Sequence, residues 1–321
     1  MTIEARVGDK EASDHCGSAF KTSLLYPRFW VTWLGLGVLF LISLMPQIMR
    51  HYMGRKIGKL IYAHNKKRRE IVLINIKIAF PDLDADSQQQ LVKQHLQWYG
   101  CALMDYSLLF FGSRRRLTSL LHIEGHEHID RAIKNNQSIM ILLAHSVMLE
   151  FAPIALSLRY VCYGSYKSAK NPVMDWIIAR SRCRYVKFAI SRRQGLRKLI
   201  RELVPKQLLI FLPDEDLGKK NAVFAPFFGK LKATLTTPAR IAKLKKAVSL
   251  PCFSYYDQKT KKYHIIIAPP LEQYPSKDAY ENALKLNQAL EKLIKKQPSQ
   301  YMWLMRLYRT QPDAKKSVYS T

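Results

Sequence analysis

The sequence predicts an α/β protein with a largely parallel central sheet flanked by helices, preceded by one N-terminal membrane helix and a small helical subdomain. After residue 117, short apolar runs alternate with amphipathic stretches, a pattern typical of strands that each lead into a helix. An uncharged apolar run covers residues 29–49, and apolar side chains recur at helical spacing over residues 88–110. These three observations define the predicted fold class.

The predicted parts are a short tail over residues 1–28, a transmembrane anchor over 29–49, a basic juxtamembrane and helical subdomain over 50–116, and an α/β domain over 117–321. The last two are expected to pack as one globular unit, because no linker separates them and about 270 residues suffice for one buried core. Residues 250–256 and 263–268 are expected to form a hairpin, and residues 277–296 a last amphipathic helix.

The apolar run over residues 29–49 is long enough to cross a bilayer, since a helix of that length spans roughly 30 Å. A cleavable signal peptide and a buried core helix are the alternatives. The first is disfavoured because 28 residues precede the run. Gly35, Gly37 and Pro46 would weaken a soluble helix but are tolerated in lipid, so an uncleaved anchor is favoured.

Basic residues follow the apolar run directly, whereas the residues before it carry four acids and four bases. By the positive-inside rule, this asymmetry places the rest of the chain in the cytoplasm. The basic cluster consists of Arg50, Arg55, Lys56, Lys59, Lys66, Lys67, Arg68 and Arg69.

Over the whole chain, 52 Lys and Arg oppose 24 Asp and Glu, which gives the 321 residues a formal net charge of +28. Such a charge attracts polyanions, namely nucleic acid, anionic lipid or acidic protein. Because the anchor holds the basic residues at a membrane, anionic membrane lipid is the expected partner and nucleic acid is not. The five cysteines show no CxxC pairing, so neither a disulfide framework nor a zinc site is expected.

Two His-x4-Glu pairs are present, His122 with Glu127 and His145 with Glu150. The spacing alone is a weak indication, because a chain with nine histidines contains such pairs by chance. His145 ends a continuous apolar run that predicts a buried parallel strand, and open α/β sheets place their ligands at the carboxyl ends of such strands. His122 lies in a polar stretch instead. His145 is therefore the favoured catalytic candidate.

An imidazole titrates near neutral pH, so His145 could take a proton from an attacking hydroxyl and return it to a leaving group. Glu150 could fix the imidazole tautomer and stabilise the imidazolium. No GxSxG motif surrounds Ser146, so the nucleophile is expected to belong to the substrate. The alternative is a core histidine whose polar group is satisfied by Glu150.

Short motifs occur in a fixed order between residues 69 and 309. They are Arg69 with Asn75; Phe80-Pro81; Glu124 to His128; His145 with Glu150; Asn171-Pro172 with Asp175-Trp176; Arg182 and Arg184; Pro213 to Asp216; Phe224 to Gly229; Ala233 to Pro238; and Pro298 to Trp303. This ordered set resembles the late lipid A acyltransferases, the lauroyl/myristoyl transferase family within the lysophospholipid acyltransferase superfamily.

The resemblance implies a function. Members of that family move a fatty acyl chain from acyl carrier protein, or sometimes coenzyme A, onto the 3-hydroxyl of an acyl chain on a lipid A precursor. They use no cofactor and no metal. The resemblance also implies a single anchor in the bacterial inner membrane, with the catalytic domain on the cytoplasmic side.

Roles for individual residues follow from the resemblance. His145 would be the general base and Glu150 its orienting partner, while Arg182 and Arg184 would bind lipid A phosphates or stabilise the oxyanion. For the two arginines, an ordinary basic surface is the alternative. Lys167 stands where the family usually has arginine after tyrosine, and lysine lacks the planar guanidinium fork.

Two acids and three aromatic residues complete the predicted site. Asp214 and Asp216 would order the site or bind a hydroxyl, or else cap a loop. Phe224, Phe227 and Phe228 are candidates for an acyl channel, with plain core packing as the alternative.

The cluster of His122, His126 and His128 with Glu124 suggests a metal site. No metal is expected, because three imidazoles in one strand-to-helix loop need not converge. Two other functions remain open: an acyltransferase for another phospholipid or glycolipid, and a non-enzymatic, membrane-tethered protein that binds polyanions.

Overall fold

The computed structural model describes residues 20–166, 169–184, 188–191, 200–313 and 318–319. In this part of the chain, a seven-stranded sheet has the order β1-β9-β8-β2-β5-β3-β4. Its strands are β1 Leu121–Glu124, β2 Ile139–Leu143, β3 Cys162–Tyr166, β4 Phe188–Ser191, β5 Leu208–Phe211, β8 Val248–Asp257 and β9 Lys262–Ile267. A two-stranded antiparallel sheet pairs β6 Ala222–Phe227 with β7 Lys230–Leu235.

The seven-stranded sheet is parallel at every described pairing except the β8/β9 hairpin. The prediction of a largely parallel sheet is confirmed, and so is the predicted hairpin. The described α-helices are α1 Trp30–Leu44, α2 Gln47–His64, α3 Lys66–Ala79, α4 Ala85–Phe111, α5 Arg114–Leu120, α6 His126–Lys134, α7 Phe151–Ser157, α8 Pro172–Cys183, α9 Thr237–Lys245 and α10 Ala279–Ile294.

Strand β2 lies in the middle of the sheet and is buried along its whole length. Its alternate side chains enter two different cores: Met140 and Leu142 pack with residues of α3 and α10, whereas Ile139 and Ile141 pack with residues of α6 and α7. Burial of such a side chain stabilises the fold by about 1.5 to 3 kcal/mol. Helices on both faces therefore fix β2, and with it the residues that follow its carboxyl end.

The helical subdomain is built on close contact between α2 and α4. A Cβ atom at Gly58 would lie 2.4 Å from the Cα atom of Gln97, and one at Gly54 would lie 2.5 Å from the Cα atom of Cys101. No side chain fits between the helices at these points, so glycine is required for the two backbones to touch.

The apolar run over residues 29–49 is interrupted near its end and is not one continuous helix. Helix α1 ends at Leu44, Met45 and Pro46 are extended, and residues from Gln47 onward belong to α2. Proline lacks an N–H and disfavours helical backbone in the residue before it, which explains the break. The described residues contain one segment long and apolar enough to cross a membrane, Pro27–Leu44, and only 22% of it is buried.

Two arginines bind the last carbonyl groups of α1. Arg116 donates to the carbonyl oxygens of Ser43 and Met45, and Arg50 Nη1 donates to that of Met45 at 2.7 Å. Arg50 is fully buried, and its Nε lies 3.1 Å from Asp105 Oδ1. Helix carbonyls without internal partners are thereby satisfied, and α1 is attached to the subdomain.

Candidate active site

His145 lies just beyond the carboxyl end of β2, as predicted, and a C-terminal segment holds it there. The backbone N–H of Met302 donates to the carbonyl oxygen of His145 at 3.0 Å, and that of Val147 donates to the carbonyl oxygen of Gln300 at 2.9 Å. The turn that carries His145 is therefore paired on both sides with the segment around Tyr301.

Asp214 follows β5, the strand next to β2, and contacts His145 with both carboxylate oxygens. Oδ1 lies 2.6 Å from His145 Nδ1, and Oδ2 accepts the backbone N–H of His145 at 2.8 Å. A carboxylate at Nδ1 assigns the proton to that nitrogen in the neutral ring, so Nε2 carries the lone pair. This is the tautomer that a general base needs.

Tyr301 and Lys232 complete the surroundings of Asp214. The Tyr301 hydroxyl donates to Asp214 Oδ2 at 3.0 Å, and both side chains are buried. Burial by itself raises the pKa of the Asp214 carboxyl, but the His145 charge, the hydrogen bonds from His145 and the Lys232 charge together hold that pKa below its ordinary value of 3.8. Asp214 is therefore ionised at neutral pH.

Lys232 is a buried lysine on β7. Its Nζ has no hydrogen-bond partner among the described residues, and it lies 5.6 Å from the centre of the Phe227 ring. Burial lowers the pKa of the Lys232 ammonium, and the charges of Asp214 and Asp216 oppose that change. Lys232 and Asp214 thus form part of one buried electrostatic network.

Glu150 was expected to accept the hydrogen bond from His145, but Asp214 occupies Nδ1. The reason is geometric: Nδ1 faces the end of the neighbouring strand, whereas Glu150 stands at the start of α7. The participation of Glu150 in the site stays a prediction.

Glu150 is one of the residues that line an apolar cavity of about 450 Å³. Its walls come from α1, α4, α7 and α8, through side chains that include Leu39, Leu103, Ile154 and Met174. The cavity therefore lies between the apolar N-terminal helix and the helix that follows the His145 turn.

The three acyl-channel candidates do not line this cavity. Phe227 and Phe228 are buried core residues, and the Phe228 ring centre lies 5.6 Å from that of Trp303. Phe224 lies half-buried on β6. The β6/β7 hairpin packs against α10. A role of these three residues in an acyl channel stays a prediction.

The remaining predicted residues make other contacts or lie outside the described residues. Arg184 donates to the carbonyl oxygens of Phe110 and Gly112 at the end of α4, both at 3.0 Å. Asp216 accepts the backbone N–H groups of Gly218 and Thr310, so it holds a loop. The Arg182 side chain and Lys167 lie outside the described residues.

Sequence reasoning missed two residues of the site. Tyr301 lies in the motif from Pro298 to Trp303, which was recognised in the sequence, but the motif did not indicate a function for this tyrosine. Lys232 gave no signal, because one lysine in an alternating strand is ordinarily exposed, and only the fold buries it.

Comparisons with known proteins identify the family of this chain. A family model described as bacterial lipid A biosynthesis acyltransferase matches residues 18–310. The lipid A biosynthesis lauroyltransferase of Escherichia coli (strain K12) is 31% identical over 301 residues, which cover 94% of this chain and 98% of that protein. From the same organism, a palmitoleoyltransferase is 29% identical with the same coverage, and a myristoyltransferase is 26% identical over 94% of this chain and 95% of that protein. By this match over nearly its full length, the chain belongs to the bacterial lipid A biosynthesis acyltransferase family.

Proposed function

We propose that this protein transfers a fatty acyl chain from an acyl thioester to a hydroxyl group of a lipid A precursor. The observation that carries the proposal is the His145–Asp214 pair, together with an apolar cavity lined by Glu150, which lies five residues after His145 in the chain. A general base supplies the chemistry of acyl transfer, and an apolar cavity supplies binding for a fatty chain. Family membership supports lipid A as the acceptor.

In the proposed reaction, His145 Nε2 takes the proton of the acceptor hydroxyl as its oxygen attacks the thioester carbonyl carbon. A tetrahedral intermediate forms, and Asp214 stabilises the imidazolium through the hydrogen bond at Nδ1. Collapse of the intermediate breaks the carbon–sulfur bond, and the imidazolium returns the proton to the leaving thiolate. The products are an ester and a thiol, and the nucleophile comes from the substrate.

Ser146, the hydroxyl next to His145 in the chain, is engaged elsewhere. Its Oγ lies 2.9 Å from Ser254 Oγ, which in turn donates to the carbonyl oxygen of Met148. The hydrogen of Ser146 is therefore directed to Ser254, which supports a substrate hydroxyl as the nucleophile.

The cavity, which Glu150 helps to line, is the proposed binding site of the donor chain. Each methylene group that leaves water there contributes about 0.8 kcal/mol to binding. We propose acyl carrier protein as the thioester carrier and the 3-hydroxyl of an acyl chain already on the disaccharide as the acceptor. Relatives named for lauroyl, palmitoleoyl and myristoyl transfer share this family, so membership alone assigns no chain length.

We further propose that α1 crosses the bacterial inner membrane once and leaves the α/β domain in the cytoplasm. The exposed apolar surface of α1 and the basic residues of α2 and α3 support this arrangement, and anionic lipid would contact those bases. Because Leu39 of α1 lines the cavity, the acyl chain would bind beside the membrane helix.

The test is acyl transfer by the purified full-length chain in detergent, with acyl carrier protein thioesters, lipid A precursors that have one open hydroxyl, and glycerophospholipids as competing acceptors. Mass spectrometry identifies the acylated product. His145→Ala and Glu150→Ala are each expected to lower the rate by about 10²- to 10⁴-fold. Glu127→Gln is the matched control. Glu127 is the exposed glutamate of the other His-x4-Glu pair, so this variant should retain activity.

Three outcomes would contradict parts of the proposal. Full activity in His145→Ala would show that His145 is not the general base. Acylation of glycerophospholipid but not of the lipid A precursor would favour the other acyltransferase assignment. Anionic lipid binding without any transfer would favour a non-enzymatic polyanion-binding protein.

A further inference from the structure

A second cluster of histidine and carboxylate lies at the edge of the seven-stranded sheet. Strands β1 and β9 pair in parallel with His122 opposite His264, and Glu124 lies two residues further along β1. Residues two apart on a strand point to the same side, so all three side chains share one face of the sheet. Strands β9 and β8 separate this edge from β2 and His145.

The three side chains converge. Their ligand-type atoms all lie within 4.8 Å of one another, and no other set of three histidine, cysteine or acidic residues does so in the described part of the chain. Glu124 Oε1 lies 2.7 Å from His264 Nδ1 and 3.8 Å from His122 Nε2.

Hydrogen bonds on the far side of the His264 ring determine its tautomer. The Thr260 hydroxyl donates to Asp257 Oδ2 at 2.8 Å, so its oxygen can only accept from His264 Nε2, which lies 2.8 Å away. Nε2 therefore carries a proton, and the lone pair of the neutral ring lies on Nδ1. Two acceptors, that lone pair and the Glu124 carboxylate, then face each other at 2.7 Å.

Such a contact requires a positive species, either a second ring proton or a metal cation. The geometry points to a binding site for a divalent transition-metal ion of the zinc class, formed by His122, Glu124 and His264. Two imidazole nitrogens and one carboxylate oxygen are a common zinc ligand set, which leaves the fourth position to water. Ligand atoms around tetrahedral zinc lie roughly 3.3 Å apart, between the two distances observed from Glu124.

Thr260 and Asp257 fit the same assignment. Histidine ligands usually donate their second ring N–H to a neighbouring acceptor, and this partner fixes the ring orientation. No metal was expected from the sequence, because His122, His126 and His128 need not converge. In the structure, His126 and His128 lie on α6. Instead, the third ligand comes from His264, 140 residues away from Glu124. Because β1 has only four residues, a metal ion here would attach a short edge strand to β9.

The experiment uses the full-length, tag-free chain in detergent after treatment with a chelator. Cobalt(II) is titrated and its visible absorption bands are recorded, and zinc is then added as a competitor. One equivalent of tetrahedral cobalt, displaced by zinc, is expected. His122→Ala should lower the affinity at least about 10-fold, and its half-exposed side chain makes misfolding an improbable cause.

His126→Ala is the matched control, because His126 is a half-exposed imidazole on the neighbouring helix with its own glutamate 3.7 Å away, and its affinity should not change. Thr260→Val keeps all three ligands and should weaken binding by about 10- to 100-fold. Zinc should also raise the Tm of the unmodified chain and leave that of His122→Ala unchanged. The inference is overturned if the unmodified chain binds neither metal, or if His126→Ala loses as much affinity as His122→Ala.

Discussion

His145 and His264 each lie against a carboxylate at short distance, yet the two pairs differ in what surrounds the acid. Asp214 is buried, and its second oxygen accepts the His145 backbone N–H and the Tyr301 hydroxyl. Glu124 is 42% exposed and lies near a second imidazole, His122. The hydrogen bonds to Asp214 all come from within the protein, so this carboxylate can orient the His145 ring. Glu124 is partly open to solvent, so it could bind a cation together with the two imidazoles.

His95 of α4, which is buried, shows what happens without a carboxylate. Its Nδ1 donates to the carbonyl oxygen of Ser299 at 3.1 Å, close to the segment that holds the His145 turn. Burial lowers the pKa of His95 to about 4, with the hydrogen bond to Ser299 acting in the opposite direction. His95 is therefore neutral at pH 7 and serves packing. The partner of the ring, rather than burial alone, separates the three roles.

The largest expected effect comes from breaking the buried pair at His145. Asp214→Asn removes the charge that stabilises the imidazolium and permits the wrong tautomer, so acyl transfer should fall by about 10³- to 10⁴-fold. Steady-state rates with saturating donor measure the loss, and far-ultraviolet circular dichroism checks folding. Asp82→Asn, an exposed aspartate, is the control. A loss below about 10-fold would assign Asp214 a structural role.

The next effect concerns stability and His95. As pH falls below 6.5 the unfolded chain binds a proton at this residue that the folded chain does not, so the free energy of unfolding decreases until about pH 4. The full decrease is about 3 kcal/mol. Urea unfolding at several pH values measures it, and His95→Gln should flatten the profile over that range. An unchanged slope in His95→Gln would mean that other groups cause the pH dependence.

The smallest effect is expected from Tyr301→Phe, which removes one of the hydrogen bonds to Asp214 and leaves its contacts with His145. Burial holds the pKa of the Tyr301 hydroxyl well above 10, so it acts as a donor throughout the neutral range. Loss of this bond should lower the acyl-transfer rate by about 10-fold, or about 1.4 kcal/mol. Tyr280→Phe, at an exposed tyrosine, should have no effect. A loss as large as that of Asp214→Asn would contradict the expectation that this hydrogen bond contributes less to the rate than the Asp214 charge.

The alternation of apolar and amphipathic segments was sufficient to predict the parallel sheet and the position of His145, because each depends on residues close together in the chain. The partner of His145 was not predictable in the same way. Asp214 lies 69 residues away, and only the order of the strands places β5 beside β2. A glutamate at fixed spacing was visible in the sequence, whereas strand order was not.

The same limit applies to the cavity and to the cluster of His122, Glu124 and His264. The aromatic segment from Phe224 to Phe228 has the composition expected of an acyl channel, but it does not line the cavity. The cavity walls come from four helices that are distant in sequence. His264 likewise joins Glu124 through strand pairing. Composition indicates which side chains can perform a task, and topology decides which of them meet.

The attachment of α1 also has a consequence for substrate selection. Arg50 and Arg116 bind carbonyl groups at the end of that helix and so hold it against the rest of the domain. If α1 crosses a bilayer as proposed, His145 would lie at a fixed depth relative to the lipid surface. A hydroxyl group would then be acylated only where the molecule that bears it presents the group at that depth, so the membrane would take part in selecting the acceptor.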